Sequence, residues 1–172
     1  FPWAFHDDEG ENISDRNPRY CELTTQYWAW KNVDADYYGF CHYRRYFDFS
    51  DTPHKENPYG EIMDDYIDAK AAKEYGLDDT NIERVVRQYD VITTPFSDLT
   101  EIIDEHGTPR ALWEAAPLLH DDDLLRCYRI LCKMYPDYKE DADAFFKGNK
   151  ACFCNMFIMK KEIFFDYCSW MF

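Results

Sequence analysis

The chain has 172 residues, with 19 Lys and Arg against 34 Asp and Glu and a formal net charge of −15. A length of this order predicts one domain, and a hydrophobic share of 46% predicts a folded chain rather than a disordered one. The acidic balance argues against general nucleic-acid binding and against direct electrostatic docking on anionic lipid, because both need a basic surface.

Seven cysteines are present, without a Cys-x-x-Cys pair, and Cys152 and Cys154 are too close for an ordinary disulfide. We expect free, buried thiols in a reducing cytoplasm, with Cys41, Cys127 and Cys132 in apolar patterns. Since no apolar stretch approaches the ~20 residues that a membrane-crossing helix needs, we expect a cytoplasmic protein without a membrane span.

Helices alternate with strands in the first half of the predicted fold. After an acidic, irregular segment, aromatic residues recur at helical spacing from 20 to 31, and an apolar strand follows at 37–42. The next predicted elements are a loop at 50–60, a helix at 61–75 ended by Gly76, a helix at 80–89 and a strand at 90–94.

The second half continues the alternation. Thr108 and Pro109 open a short helix, and three aspartates open a longer one at 124–134, where the helix dipole favours acids. A helix at 137–147, a strand at 151–159 and a final helix from 160 onward follow. This order predicts an α/β fold with a largely parallel central sheet.

The first strand runs into residues 42–47, His-Tyr-Arg-Arg-Tyr-Phe. Arginine offers a planar fork of donors that suits phosphate, and it stacks well on aromatic rings. Ligands of α/β proteins bind at the carboxyl ends of strands, so this run predicts an anionic ligand such as a nucleoside diphosphate. The alternative is that the two arginines neutralise the nearby acids Asp34, Asp36 and Asp48.

Several longer motifs follow one another in order: GENIS at 10–14, CELT at 21–24, YWAWKN at 27–32, HYRRYF at 42–47, YDVI at 89–92 and NMFIMKK at 155–161. Together they resemble a bacterial domain of unknown function found in proteins of capsular and exopolysaccharide assembly, often described as glycosyltransferases. The resemblance covers nearly the whole chain.

The resemblance implies a nucleotide-sugar-dependent glycosyltransferase of the hexosyltransferase type with a GT-A-like, Rossmann-related fold. Such a fold has a mixed, mainly parallel sheet flanked by helices, here as a single domain over 1–172. The family pattern begins with a strand before the first residue and continues past the last one. We therefore expect the domain to be incomplete at both ends.

In GT-A enzymes the corresponding strand ends in an Asp-x-Asp that holds a divalent metal on the sugar diphosphate. His-Tyr-Arg-Arg occupies that place and contains no carboxylate, the ligand that Mg²⁺ and Mn²⁺ require. The resemblance therefore implies that Arg44 and Arg45 stabilise the leaving diphosphate without a metal or other cofactor. Asp48 is the nearest carboxylate, so a metal is disfavoured rather than excluded.

Other residues are weaker candidates. His42 is a candidate catalytic group that orients a phosphate or a sugar hydroxyl, or else a structural hydrogen-bonding residue. Glu22 is a candidate general base, or else an exposed helix acid. No histidine, cysteine or acid spacing predicts a metal site.

The remaining candidates are binding residues. Asn12, Asn17 and Tyr43 are candidate contacts of the nucleotide sugar, although the two asparagines equally suit caps and turns. Asn155 lies inside an apolar run, where a buried amide needs partners. In a GT-A-like fold this segment lies beside the acceptor, so Asn155 is a candidate acceptor-binding residue.

Two functions follow from these observations. The first is transfer of a sugar from a nucleotide-sugar donor to a growing capsular, exopolysaccharide or O-antigen glycan, or to a lipid-linked sugar. The alternative is a non-catalytic carbohydrate- or protein-binding module of a polysaccharide-assembly protein. In either case we expect no nucleic-acid partner. We expect any association with the inner membrane to occur through membrane-associated assembly proteins.

Overall fold

A computed structural model describes residues 4–172. The helices are α1 (Asn17–Tyr20), α2 (Leu23–Asn32), α3 (Ala69–Glu74), α4 (Asp79–Val86), α5 (Leu99–Ile102), α6 (Pro109–Ala115), α7 (Asp121–Met134), α8 (Lys139–Lys147) and α9 (Lys161–Met171). The strands are β1 (Tyr37–Phe40), β2 (Val91–Thr93), β3 (Phe96–Asp98), β4 (Lys150–Cys152) and β5 (Phe157–Lys160). Short 3-10 turns occupy Ser14–Arg16 and Pro136–Tyr138.

Two compact units divide the chain. The sheet unit comprises the chain up to Ser50, Ala72–Thr93 and Asn155–Phe172, and the helical unit comprises Asp51–Ala71 and Thr94–Cys154. The assignment of 1–172 to a single glycosyltransferase-like domain stays a prediction.

The sheet unit contains a three-stranded sheet in the order β1-β5-β2. Both outer strands pair with β5 in the antiparallel sense, and Phe157 of β5 is opposite Phe40 of β1 and Thr93 of β2. The predicted mainly parallel sheet is therefore wrong for the described strands. The mixed α/β composition is confirmed.

The direction of β5 follows from where the chain returns to the sheet. β1 and β2 run the same way, as the alternation of helices and strands predicts, but they are not neighbours. The chain leaves the sheet after Thr93 and comes back at Asn155, beside the end of β2. The strand that starts there runs back between β1 and β2, antiparallel to both.

Apolar side chains cover both faces of this sheet because successive strand residues point to opposite sides. On one face Tyr38 and Phe157 pack against α2 and α9, with the Tyr38 ring stacked 4.4 Å from that of Phe164. On the other face Ile158 packs with Phe49 and Val86. The strands are thus held between two apolar layers.

The helical unit contains the antiparallel pair β3-β4 and α5 to α8. Asp98 ends β3 and caps α5, because its Oδ1 accepts a hydrogen bond from the Thr100 amide at 2.9 Å. Gly107 passes so close to the chain that an added Cβ would lie 2.2 Å from the Leu99 carbonyl oxygen. Tyr128 of α7 donates to Asp143 of α8 at 2.5 Å, which joins these two helices.

Two predicted elements are shorter than expected. The predicted helix at 61–75 begins only at α3, because Asp68 Oδ1 accepts from the Lys70 and Ala71 amides, each at 2.9 Å, and sets the helix start there. The predicted strand at 151–159 is divided into β4 and β5, and Cys154 between them has φ +67°.

The cysteines are free but mostly not buried. Cys41 and Cys127 are exposed, Cys132 is half-buried, and Cys168 is the buried thiol. The expectation of buried thiols is therefore wrong for the first three, because short strands and surface helices leave these positions uncovered. Within residues 4–172 no helix combines the length and apolar character needed to cross a bilayer.

Candidate functional site

The strand β1 ends in a tight turn formed by residues 42–45, here called the β1-edge turn. The Arg45 amide donates to the His42 carbonyl at 3.0 Å, which closes the turn. At its tip Tyr43 is 73% exposed, and the Arg44 guanidinium carbon lies 4.8 Å from the centre of the Tyr43 ring. Arg44 is exposed and Arg45 is half-buried. The turn therefore contains two neighbouring cations and an exposed aromatic ring.

Apolar residues anchor this turn on both sides. Before it, the Phe40 ring packs 5.3 Å from that of Phe157. After it, Phe49 is buried, its amide donates to the Tyr75 carbonyl at 2.9 Å, and its carbonyl accepts from Asn81 Nδ2 at 2.7 Å. A loop fixed at both ends loses little conformational freedom when it binds a ligand.

His42 is half-buried at the start of the turn, with its ring centre 4.3 Å from that of Tyr43. Its Nδ1 atom is buried and has no hydrogen-bond partner among the described residues. Buried polar atoms in native proteins are nearly always paired. His42 therefore carries an unsatisfied polar atom within the β1-edge turn.

Asn155 lies at the same edge of the sheet as the β1-edge turn. Phe40, two residues before His42, pairs with Phe157, two residues after Asn155, in the antiparallel sense. Asn155 is exposed rather than buried in an apolar run, since it precedes β5. The fold thus brings the predicted donor-binding turn and the predicted acceptor-binding residue to one sheet edge.

Asn12 and Asn17 form local hydrogen bonds. Asn12 Nδ2 donates to the carbonyls of Asp8 at 3.1 Å and Gly10 at 2.9 Å. Asn17 Nδ2 donates to the Cys21 carbonyl at 3.1 Å. These bonds fit the alternative that the sequence left open, namely turn and cap residues, and the nucleotide contacts stay a prediction.

Glu22 is exposed immediately before α2, where its carbonyl accepts hydrogen bonds from the Thr25 and Gln26 amides. This position fits the interpretation of Glu22 as an exposed helix acid, and its role as a general base stays a prediction.

Asp34 does not need the arginines for neutralisation. Lys161 Nζ lies 2.5 Å from Asp34 Oδ1 and lowers the pKa of that carboxyl. On the other side of β5, Lys160 Nζ lies 2.5 Å from Asp90 Oδ1. The two lysines of NMFIMKK thus connect the end of β5 to the segments that precede β1 and β2.

Sequence analysis missed the connection between the GENIS segment and α2. Asn32 Nδ2 donates to the Glu11 carbonyl at 2.8 Å, and Trp28 Nε1 donates to the Glu9 carbonyl at 2.8 Å. Gly10 has φ +64°, and an added Cβ would lie 2.2 Å from Asn32 Oδ1. These bonds join the GENIS and YWAWKN motifs into one structural unit.

A groove of about 510 Å³ lies beside this connection, lined by Phe5, Glu9, Gly10, Trp28, Asn32, Val33 and Asp34. Two polar residues of α2 are buried. Thr24 is fully buried and donates from Oγ1 to Asp7 Oδ2 at 2.7 Å. Gln26 is 1% exposed, and neither of its side-chain polar atoms has a partner among the described residues. Polar residues on the apolar face of the helical pattern were the available signal.

The described part of the chain contains no cluster of side chains suited to bind a metal ion. Among residues 4–172, no three His, Cys, Asp or Glu side chains are grouped so that they could hold a metal ion.

Comparisons with known proteins support a domain of unknown function that is associated with glycosyltransferases. A family model described as "Domain of unknown function (DUF4422)" matches residues 3–172. The apo structure of the bifunctional glycosyltransferase WbbM is similar, with a TM-score of 0.86 and 36% sequence identity. The match covers 96% of this chain but 29% of that one. No curated protein matches the chain.

Proposed function

Because the chain belongs to the DUF4422 family and is similar to part of a glycosyltransferase, we propose that it transfers a sugar from a nucleotide-sugar donor to a growing cell-surface glycan. The observation that carries this proposal is the 36% identity and TM-score of 0.86 over 96% of the chain. The acceptor is a capsular, exopolysaccharide or O-antigen glycan, or a lipid-linked sugar. The reaction takes place on the cytoplasmic side, with membrane-associated assembly partners.

The β1-edge turn is the proposed site of the donor diphosphate. When the bond between the sugar C1 and the diphosphate oxygen breaks, the electron pair leaves with the diphosphate. Arg44 and Arg45 donate hydrogen bonds to the charge that develops there. Stabilisation of this kind is commonly worth about 3 kcal/mol in the transition state, and no metal ion is needed for it.

The acceptor hydroxyl oxygen forms the new bond to C1 and loses its proton. His42 is the first of two proposed proton acceptors, since it lies in the β1-edge turn, and Glu22 is the second. Asn155, at the same sheet edge, is proposed to bind an acceptor hydroxyl. Tyr43 offers its exposed ring to the donor.

A thermal-shift experiment on the full-length protein tests the donor site. Uridine and guanosine diphosphates are added separately, with and without manganese, to the wild type and to the double variant Arg44→Ala/Arg45→Ala. A ligand at 100 times its Kd stabilises the folded state by about 2.7 kcal/mol. We expect one diphosphate to raise the Tm without manganese, and the double variant to lose this response.

Sugar transfer is measured on the same proteins. We expect the double variant to lose about 100-fold or more of its activity, which corresponds to roughly 3 kcal/mol. Arg87→Ala is the matched control, because Arg87 is an exposed arginine paired with Glu83 on α4. Unchanged activity in the double variant would refute the role of the arginines. A Tm response to free glycans alone, without any response to nucleotides, would indicate the non-catalytic binding module instead.

A further inference from the structure

A basic stripe runs along the exposed face of α7. Arg126, Arg129 and Lys133 line a groove of about 350 Å³ together with Asp122 and Ile130. The three cations follow one another at spacings of three and four residues, so their side chains lie on one side of the helix. We call these three residues the α7 basic stripe.

The contacts within the structure give the α7 basic stripe no role in stabilising the fold. Among the side chains that the structure describes, none forms a hydrogen bond or an ion pair with these three cations. Like charges three and four residues apart destabilise a helix. The chain as a whole carries a net charge of −15, yet this groove gathers three cations around a single carboxylate.

Apolar side chains continue the same exposed face. Ile130 is 49% exposed and Met134 is 62% exposed, and both lie next to the stripe on the helical wheel. The opposite side of α7 faces α8 through the Tyr128–Asp143 hydrogen bond. The outer face therefore pairs a cationic strip with an apolar one.

We propose that the α7 basic stripe is a second anion-binding site, separate from the β1-edge turn, and that it binds a phosphoryl group. Two guanidinium groups and an ammonium offer converging donors that suit phosphate oxygens. Ile130 and Met134 favour a phosphate that is attached to an apolar group. Such a phosphate is either free in solution as a phosphorylated compound or exposed as a lipid headgroup.

The test uses the full-length protein in the Arg44→Ala/Arg45→Ala background, so that binding at the β1-edge turn does not contribute. One arm titrates pyrophosphate. The other arm measures sedimentation with vesicles of phosphatidylcholine alone or mixed with phosphatidylglycerol. Each arm compares the unmodified stripe with Arg126→Gln/Arg129→Gln/Lys133→Gln. The matched control is Lys55→Gln/Lys73→Gln/Lys147→Gln, which removes three exposed cations elsewhere.

Near an anionic surface each lysine or arginine contributes about fivefold to binding, so we expect the stripe variant to bind about 100-fold more weakly and the control to bind normally. Loss of pyrophosphate binding assigns the site to a soluble phosphate compound. If the stripe variant loses binding to the vesicles that contain phosphatidylglycerol but does not lose binding to pyrophosphate, the site is assigned to a lipid headgroup. The proposal is wrong if neither probe binds, or if the stripe variant binds as well as the control. Circular dichroism measures the helix content of the stripe variant. We expect it to be unchanged, because removing like charges from one face of a helix does not weaken it.

Discussion

Cys168 lies fully buried among the aromatic residues that pack α9 against the sheet. Burial raises the pKa of its thiol to about 12, because the thiolate is poorly solvated there. The reactive species of cysteine is the thiolate. Cys168 is therefore expected to stay protonated and unreactive throughout the neutral and mildly alkaline range.

We predict that an alkylating reagent labels exposed Cys154 in the folded protein and labels Cys168 only after denaturation. Raising the pH from 7 to 9 leaves Cys168 unlabelled in the folded protein, because its pKa of about 12 stays above this range. Peptide mass spectrometry after a timed reaction measures both positions. Native labelling of Cys168 at the rate of Cys154 would contradict the prediction.

Single residues also show what the sequence reveals about a site. The pair Arg44-Arg45 stood out because cations are scarce in this chain, and its position after an apolar strand is confirmed. The hydrogen bonds that Asn12 and Asn32 form could not be predicted from the sequence. An asparagine that supports a loop looks the same in a sequence as an asparagine that binds a ligand. Only the hydrogen-bond partners distinguish the two cases.

At the scale of elements, one carboxylate joins two helices. Asp143 of α8 accepts from Lys139 at 2.6 Å and from Tyr128 of α7 at 2.5 Å. These partners, first Lys139 and then Tyr128, hold the pKa of Asp143 below its usual 3.8. A carboxyl whose pKa is lowered by folding stabilises the protein above its unfolded pKa, and this contribution is lost as the pH falls through the folded value.

We predict that Asp143→Asn lowers the Tm at pH 7 and that the gap from the wild type narrows as the pH falls below 3.8. Differential scanning calorimetry at several pH values measures the gap. Asp166→Asn, an exposed acid on α9, controls for the loss of one negative charge. A gap of constant size at every pH would show that the carboxylate charge has no part in holding α7 to α8.

The order of helices and strands was largely predictable, but the direction of the sheet was not. Helical spacing and caps located α2, α4, α7 and α8 to within a few residues, because apolar periodicity is a local property. The central position of β5 depends on pairing with β1, more than a hundred residues earlier in the chain, and with β2, more than sixty residues earlier. The division between β4 and β5 depends on the positive φ of Cys154, a conformation that non-glycine residues seldom adopt.

For the whole molecule, the net charge of −15 predicts self-repulsion in the folded state. Exposed ion pairs such as Lys160–Asp90 weaken with added salt and act in the opposite direction. We expect repulsion to dominate, so that the Tm rises as the Debye length falls from about 30 Å at 0.01 M to about 8 Å at 0.15 M ionic strength.

The expected rise is about 2 °C or more, which roughly 1 kcal/mol produces in a chain of this size. Sodium and potassium chloride are expected to act alike, because screening depends on ionic strength rather than on the identity of the cation. A fall in Tm with either salt would mean that the local ion pairs outweigh the overall repulsion.

The chain passes from one compact unit to the other after Ser50, Ala71, Thr93 and Cys154. Neither unit is therefore encoded by an uninterrupted stretch of gene. A fragment cut after Thr93 would leave β1 and β2 without β5, the strand to which both are hydrogen-bonded. If this part of the chain is exchanged between longer proteins, in the laboratory or in evolution, both units have to be transferred together.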